Sequence, residues 1–367
     1  MDPGPSARAE GLYKDSWGGL LTSSNLQLLQ AHFPTLVLCY IVLTLNMALK
    51  SLSLLGLALG LVSAAPNTRS VKLTVEHEGP LDPFFVVDFP DPAVLQAEDG
   101  TWVSVATQGE DKKMPYATAD DILGEWKVAG DLWPGKGWTN GENIWAPDLR
   151  RLDDGSYIIY FAGEHNSLPR GTHCIGILRS DSITGPYKHD DEPWFCPPEG
   201  WNKVIDAAGF KDTDGKRYVV YKQEGDTSGP TGGNPLFLQE VEQDGRTMIG
   251  DAVLLIDRIE SEDGMSTEAP NIVLLKNGMY VLFYSTGHFE NIDTYNVKYA
   301  YATKVTGPYT RAEGTLINAS MFGLKGPGGA TSNEAGDTLL FHGWCVEKYK
   351  RCLYGVPYKV SNPCRPS

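Results

Sequence analysis

Four acidic residues stand at or near the start of predicted strands, and they are the residues of this chain best suited to chemistry. Asp91 lies in FPDPAV, Asp148 in WAPDLR, Asp206 in VIDAAGF and Glu268 in TEAPNIV. Each alone is typical of a solvated loop residue, but four in apolar surroundings favour a shared site. Crowded carboxyl groups raise one another's pKa values, so one can act as a general acid while another stays ionised as a base. Hydrolysis of a glycosidic bond needs such a pair.

A repeat along the chain indicates how these residues are positioned. Each of five segments has an apolar run, a turn ending in glycine and a short strand rich in aromatic and aliphatic residues. Consecutive turn glycines are 55, 60, 63 and 58 residues apart. Four of the turns are Asp-Gly or Asn-Gly, which are strong hairpin signals because these residues tolerate positive φ. The turn glycines are Gly100, Gly155, Gly215, Gly278 and Gly336.

The length and number of the repeats predict an all-β fold, a five-bladed β-propeller. In a propeller the first strand of each blade lines the central channel, so we expect the four acidic residues to meet around one axis. A β-sandwich with regular turns is the alternative, but it does not require five matching units. Outside the N-terminal region no stretch keeps a 3.6-residue apolar period, which disfavours helical and Rossmann folds.

Composition and charge narrow the class of partner. The 367 residues include 40 glycines and 24 prolines, as expected of a globular chain with many turns. A net charge of -15 repels nucleic acids and anionic membrane surfaces. A neutral polysaccharide or oligosaccharide fits this charge better.

The N-terminal region resembles a secretory leader that starts late. Residues 47–65 have a basic start at Lys50, an apolar centre and small residues near Ala64, and they predict a signal peptide. Met47 is then the true start, and residues 1–46 are an extension outside the true protein. A signal anchor over residues 33–65 is the alternative. We expect residues 66–367 to form a secreted, extracellular catalytic domain with no membrane contact after cleavage.

Five cysteines follow this leader, which is an odd number for an oxidising compartment. The short spacing of Cys345 and Cys352 makes them the first predicted disulfide, and Cys174 with Cys196 the second. Cys364 is left over. Asn318 opens a glycosylation sequon, which is consistent with secretion.

The strings around the acidic residues resemble the signature of glycoside hydrolase family 43, over about residues 80 to 360. The resemblance implies that Asp91, in an Asp-Pro motif, is the general base. It is preferred to Asp88 because only Asp91 is followed by proline and an apolar strand. Glu268, in a Glu-x-Pro motif, is implied as the general acid, and Asp148, in WAPD, as the residue that tunes and orients it.

Further residues follow from the same resemblance. Asp206 matches a structural or substrate-binding position, and Arg351 a late arginine that reaches the sugar, although a solvated rim charge is an equal alternative. His342 in LLFHGW is similar to a histidine that faces a calcium ion or a water cluster in the channel. Arabinanases of the family have Gly-Pro-Gly-His before that strand, where this chain has glycine at 329. Calcium would be structural, since the chemistry requires no cofactor.

Aromatic residues near the motifs are candidates for stacking on a sugar. Trp145 and Phe85 are the two predicted platforms, with packing between strands as the alternative. The motifs of fructan hydrolases and the Asp-boxes of sialidases do not occur in the sequence.

The predicted function is a monomeric, secreted, inverting hydrolase that releases arabinose or xylose from plant cell-wall polysaccharides. In this interpretation it is an exo-acting α-L-arabinofuranosidase or β-xylosidase. The first alternative is an endo-1,5-α-L-arabinanase. A noncatalytic carbohydrate-binding propeller is the alternative from another class.

Overall fold

A computed structural model describes residues 70–225, 233–345 and 350–361. The predicted extension, the signal peptide and Cys364 lie outside these residues. The described part contains twenty strands and one four-residue helix, and none of its helices is long and apolar enough to cross a membrane. The elements are β1 (Lys72–Val75), β2 (Ala93–Gln96), β3 (Trp102–Val105), β4 (Pro115–Ala119), β5 (Lys127–Asp131), β6 (Trp145–Arg151), β7 (Tyr157–Glu164), β8 (His173–Ser180), β9 (Lys188–His189), β10 (Trp201–Lys211), β11 (Arg217–Gly225), β12 (Leu236–Val241), β13 (Met248–Ile256), α1 (Glu260–Asp263), β14 (Thr267–Leu274), β15 (Tyr280–Thr286), β16 (Asn296–Ala302), β17 (Thr310–Arg311), β18 (Gly328–Ser332), β19 (Thr338–Trp344) and β20 (Arg351–Ser361).

The strands pair mainly with their neighbours in sequence. Strands β2–β5 form one four-stranded sheet and β14–β17 another. Strands β6–β9 and β10–β13 are two antiparallel runs, joined into one larger sheet by a parallel pairing of His173 with Lys203. Strands β18–β20 complete their sheet with β1, where Lys72 pairs with Ser361. The all-β prediction is confirmed.

The predicted glycine turns connect the first and second strands of each run. All five turn glycines have positive φ, between 70° and 91°. In the turn at Gly155, the Leu152 N–H donates to the Ser156 carbonyl at 2.8 Å and the Gly155 N–H donates to the Leu152 carbonyl at 3.1 Å. This conformation suits glycine because it has no Cβ to clash. The hairpins predicted from these dipeptides are therefore confirmed.

Burial is deepest along the second strand of each run, where apolar side chains pack on both faces. Strand β7 is buried over all eight residues. Two disulfides cross-link the described chain, Cys174 with Cys196 and Cys345 with Cys352, and both predicted pairings are confirmed. The second lies at the loop end of the β19–β20 hairpin, where Cys352 is the neighbour of Arg351 in the chain.

The first strands of the five runs converge on one narrow cavity through matching triplets. The first residue of every triplet has positive φ, between 43° and 59°. The triplets are Asp91-Pro92-Ala93, Ala146-Pro147-Asp148, Asp206-Ala207-Ala208, Ala269-Pro270-Asn271 and Gly329-Ala330-Thr331.

The triplets correct the expectation that the four acidic residues are equivalent. Only Asp91 and Asp206 share a position, the first of a triplet. Asp148 is the third residue of its triplet, and Glu268 comes one residue before its own. Because bulges in β6, β10 and β14 interrupt the regular pairing at these triplets, such offsets change where a carboxylate points.

Candidate active site

A cavity of about 430 Å³ contains three of the four predicted acidic residues, Asp91, Asp206 and Glu268. Trp145 and Arg351, two of the residues predicted to contact substrate, also line it. Asp148 lines the narrow cavity of the triplets instead.

Asp91 is held as an ionised carboxylate. The Thr107 hydroxyl donates to its Oδ2 at 2.7 Å, and Arg351 Nη1 lies 3.6 Å from its Oδ1. Burial by itself raises the pKa of Asp91, but the Arg351 guanidinium and the Thr107 hydroxyl lower it, and that pKa lies well below its usual range. A carboxylate with this charge and access to the cavity can accept a proton from water.

The buried side chain of His342 contacts Asp91. The Asp91 backbone N–H donates to His342 Nδ1 at 3.0 Å, so this nitrogen is an acceptor and the neutral ring carries its proton on Nε2. Burial lowers the pKa of His342, which favours the neutral ring. Tyr295 stacks on the imidazole with ring centres 5.8 Å apart.

The surroundings of His342 do not fit the implied calcium ion. A protonated Nε2 has no lone pair to give, and calcium prefers six to eight oxygen ligands. No group of three or more His, Cys, Asp or Glu side chains suited to a metal occurs in the part of the chain that the structure describes. His342 is therefore placed against Asp91 rather than as a direct ligand of calcium, and the expectation that it faces a water cluster stays a prediction.

Gly329 explains one departure from the arabinanase pattern. A Cβ at this position would lie 2.7 Å from His342 Nδ1 and 2.9 Å from Asp91 Oδ1. Its φ of 59° also disfavours a side chain. The contact between His342 and Asp91 therefore requires glycine here.

Asp148 is buried away from the predicted acid. Arg150 Nη2 lies 2.7 Å from its Oδ1, and the Gly209 N–H donates to its Oδ2 at 2.8 Å. Burial raises the pKa of Asp148 to about 6, against the opposing effects of Arg150 and the Gly209 N–H. The expected contact of Asp148 with Glu268 is not formed, because both carboxylate oxygens are engaged by β6 and β10. This expectation is corrected.

Asp206 lies next to the predicted acid instead. Its Oδ2 accepts the backbone N–H of Ala269, the residue after Glu268, at 3.0 Å. Burial raises the pKa of Asp206 to about 7; Lys222 opposes this, and Glu268 and Asp91 reinforce it. Asp206, expected as a structural or substrate-binding residue, thus forms an interacting pair with Glu268.

Glu268 accepts hydrogen bonds on both oxygens. Lys222 Nζ lies 2.9 Å from Oε2, the Ser266 hydroxyl donates to Oε2 at 2.8 Å, and the Tyr295 hydroxyl donates to Oε1 at 2.8 Å. Burial raises the pKa of Glu268, but Lys222 and the two hydroxyls hold it below its usual value. Asp206 therefore binds a proton more readily than Glu268 does.

The two residues predicted to stack on a sugar, Trp145 and Phe85, lie in different surroundings. Trp145 lines the cavity, half-buried, with its ring stacked on His173 at a centroid distance of 3.9 Å. Phe85 packs edge-on against buried Phe89 at 5.3 Å and belongs to an apolar cluster. Phe85 is therefore corrected from a sugar platform to a packing residue.

Several cavity residues were missed by the sequence interpretation. Phe289 is 40% exposed, and its ring lies 5.3 Å from the Arg351 guanidinium. Met265 is 66% exposed beside it. Lys222 had one usable signal, a charge inside the apolar run RYVVYK. Tyr295 and Phe289 had none, because they occur in a connection without a motif.

The sequence is similar to proteins that are named as arabinanases and as a xylosidase. An extracellular endo-alpha-(1->5)-L-arabinanase 2 of Bacillus subtilis is 26% identical over 52% of this chain and 40% of its own length. An extracellular endo-alpha-(1->5)-L-arabinanase of Thermotoga petrophila is 28% identical over 50% and 41%. A xylan 1,3-beta-xylosidase of a Vibrio species is 24% identical over 60% and 40%. The chain thus spans about two fifths of the length of these relatives.

Solved structures share the fold. A thermostable family-43 glycoside hydrolase superposes with a TM-score of 0.66 and 22% identity, over 80% of this chain and 98% of that one. An endo-arabinase of Bacteroides thetaiotaomicron superposes with a TM-score of 0.60 and 20% identity, over 76% and 97%. The model of the glycosyl hydrolases family 43 matches residues 81–345, the region that carries every acidic residue of the cavity. The chain therefore belongs to glycosyl hydrolases family 43.

Proposed function

We propose that this chain is an inverting glycoside hydrolase that cleaves arabinan at internal α-1,5 linkages. The observation that carries the proposal is the contrast inside one cavity, where charged neighbours lower the pKa of Asp91 and burial raises the pKa of Asp206, beside Glu268, to about 7. A base and a proton donor facing one space are what single-step inversion requires. A noncatalytic carbohydrate-binding protein has no need of this contrast.

In the proposed mechanism Asp91 takes a proton from the attacking water, and Glu268 donates one to the leaving oxygen. Asp206 takes over the tuning role first assigned to Asp148. The acid is ready when the shared proton lies on Glu268, and the negative charge then left on Asp206 keeps it there, because neighbouring carboxylates cannot both ionise easily. The assignment of the acid to Glu268 rests on the family motif.

The choice of an endo-acting arabinanase follows the names of the relatives. Two of the arabinanases above are described as endo-acting, which supports this activity over the exo-acting arabinofuranosidase or xylosidase predicted first. The exo-acting enzyme is the second candidate. Gly329 favours it, because the arabinanase pattern noted in the sequence analysis has histidine at this position. The same relatives are named extracellular, which supports the predicted secretion.

We further infer that the five antiparallel runs close into a five-bladed propeller. Two features support closure: the convergence of five triplets on one cavity, and the pairing of β1 with β20. A monomeric state remains a prediction.

The product pattern tests the proposed function. Purified protein is incubated with linear arabinan, arabinoxylan and aryl pentosides, and products are resolved over time. Oligosaccharides released early from arabinan are the expected result. Monosaccharide alone from the start would support the exo-acting candidate. No hydrolysis of any substrate, with binding retained, would overturn the enzyme assignment, and Asp91→Asn serves as the inactive control.

A further inference from the structure

A row of alternating charges runs from Glu268 along the wall of the cavity. Lys222 Nζ lies 2.9 Å from Glu268 Oε2 and 2.7 Å from Glu224 Oε2, and Glu224 Oε1 is in turn paired with Lys203. The Lys222 side chain is 1% exposed, on the central strand β11. A buried ammonium is costly unless it is fully paired, so this lysine needs an explanation.

All three ammonium protons of Lys222 have an acceptor. Besides the two glutamates, Lys222 Nζ lies 3.2 Å from Ser266 Oγ. The Ser266 hydroxyl in turn donates a hydrogen bond to Glu268 Oε2 at 2.8 Å. Because an ammonium has three donors and no acceptor, this arrangement fixes the direction of each bond. Glu268 Oε2 is thereby engaged by two donors, whereas Oε1 has Tyr295 alone.

This asymmetry leaves Oε1 as the oxygen with room for the catalytic proton. It also places a permanent positive charge beside the carboxylate that forms when the proton leaves. The other charged or titratable groups that line the cavity with Glu268 are Asp206 on β10, Tyr295 before β16, His288, Asp91 and Arg351. Among these, Lys222 is the cation in direct contact with Glu268.

We propose that Lys222 is a positioning residue of the acid, which presents Oε1 of Glu268 to the leaving oxygen and stabilises the carboxylate left after proton donation. Glu224 holds Lys222 in place. The proposal rests on the proposed hydrolase function. In the step concerned, the O–H bond at Glu268 Oε1 breaks and its proton bonds to the glycosidic oxygen. That oxygen takes the electron pair of the breaking C–O bond, while water bonds to the anomeric carbon and passes a proton to Asp91.

Dependence on the leaving group tests this role. In Lys222→Met, Glu268 becomes a weaker acid, so kcat/KM for an arabino-oligosaccharide should fall about 10²-fold. An aryl arabinofuranoside with an acidic phenol needs little protonation and should lose only a few-fold. The alkaline limb of the kcat/KM profile should move to higher pH, because loss of the cation raises the pKa values of Glu268 and Asp206.

Two further variants keep the test decisive. Lys216→Met removes a lysine from the start of the same strand region, where it pairs with Glu240 outside the cavity, and should leave both substrates and the pH profile unchanged. The double variant Lys222→Met with Glu224→Gln removes both charges of the buried ion pair. If Lys222→Met alone does not fold, the same measurements are made on this double variant.

The outcomes separate this proposal from the proposed function. The role of Lys222 would be overturned, and the proposed function kept, by one combination of results. In it the wild type is active, the Lys222 variants lose equal activity on both substrates, and the alkaline limb of their kcat/KM profile does not move. Wild type that hydrolyses neither substrate would overturn the proposed function first.

Discussion

The Asp148 carboxylate accepts hydrogen bonds from Arg150 and the Gly209 amide in the narrow cavity, whereas Asp206 lies in the larger cavity with Glu268 and Lys222. Both residues lie on the first strand of their run, Asp148 buried and Asp206 partly buried, and both have pKa values raised chiefly by burial. They differ by two positions in the triplet. A shift of two residues along the chain therefore separates a carboxylate that stabilises the strand contacts from one that interacts with the acid.

The largest expected effect is the loss of either half of the acid and base pair. Asp91→Asn should lower kcat/KM by about 10² to 10⁴ on natural and aryl substrates alike, because both need activated water. Glu268→Gln should cause a similar loss on arabinan and a much smaller one on an aryl substrate with an acidic phenol. Steady-state kinetics on both substrates, with circular dichroism as a check of folding, measures this. Retention of the anomeric configuration, seen by proton NMR of the first product, would contradict the inverting mechanism.

The pH dependence of kcat/KM distinguishes the roles of Asp206 and Asp148. Asp206→Asn removes the negative charge that raises the pKa of Glu268, so the alkaline limb of kcat/KM should move to lower pH, with a loss of about 10² at pH 7. Asp148→Asn is the matched control and should leave the limb in place. A shift in Asp148→Asn equal to that in Asp206→Asn would restore the role predicted from the sequence.

Stability should respond to Asp148 even though the pH profile does not. The folded-state pKa of Asp148, about 6, is above its ordinary value of 3.8. The folded protein thus binds this proton more tightly, and the stabilisation is present below pH 3.8 and lost as the pH rises through 6. Relative to wild type, Asp148→Asn should gain up to about 3 kcal/mol in free energy of unfolding between pH 4 and pH 7. Denaturant titrations at the two pH values test the difference, and a constant difference would argue against the raised pKa.

The smallest effects distinguish the two aromatic residues. Trp145→Ala removes a ring from the cavity and should raise KM for arabino-oligosaccharides up to about tenfold, with little change in stability. Phe85→Ala should lower the free energy of unfolding by about 3 kcal/mol or less and leave KM unchanged, because Phe85 is a partly buried packing residue. Kinetics and thermal melts of both variants are the measurement. An equal rise in KM for Phe85→Ala would show that it contacts substrate.

Local chemistry made several features predictable. Glycine turns, paired cysteines at short spacing and apolar runs depend on neighbours in the sequence, and the structure agrees with them at Gly155 and at Cys345 with Cys352. Asp91, Asp206 and Glu268 were found because each lies in a motif near the start of a predicted strand. Phe85 was misjudged because exposure of an aromatic ring depends on which strand covers it.

The sequence by itself determined the repeat, the β-rich class and the cavity residues Asp91, Asp206 and Glu268. It could do so because turn preference, strand alternation and motif spacing are local properties. Only the tertiary structure decided that Asp206 rather than Asp148 meets Glu268, and that Lys222 stands behind it. Those contacts join residues 46 and more positions apart on different strands, and the offset of each carboxylate within its triplet decides them. Such offsets follow from how the runs pack around a common cavity, which no single segment of the sequence records.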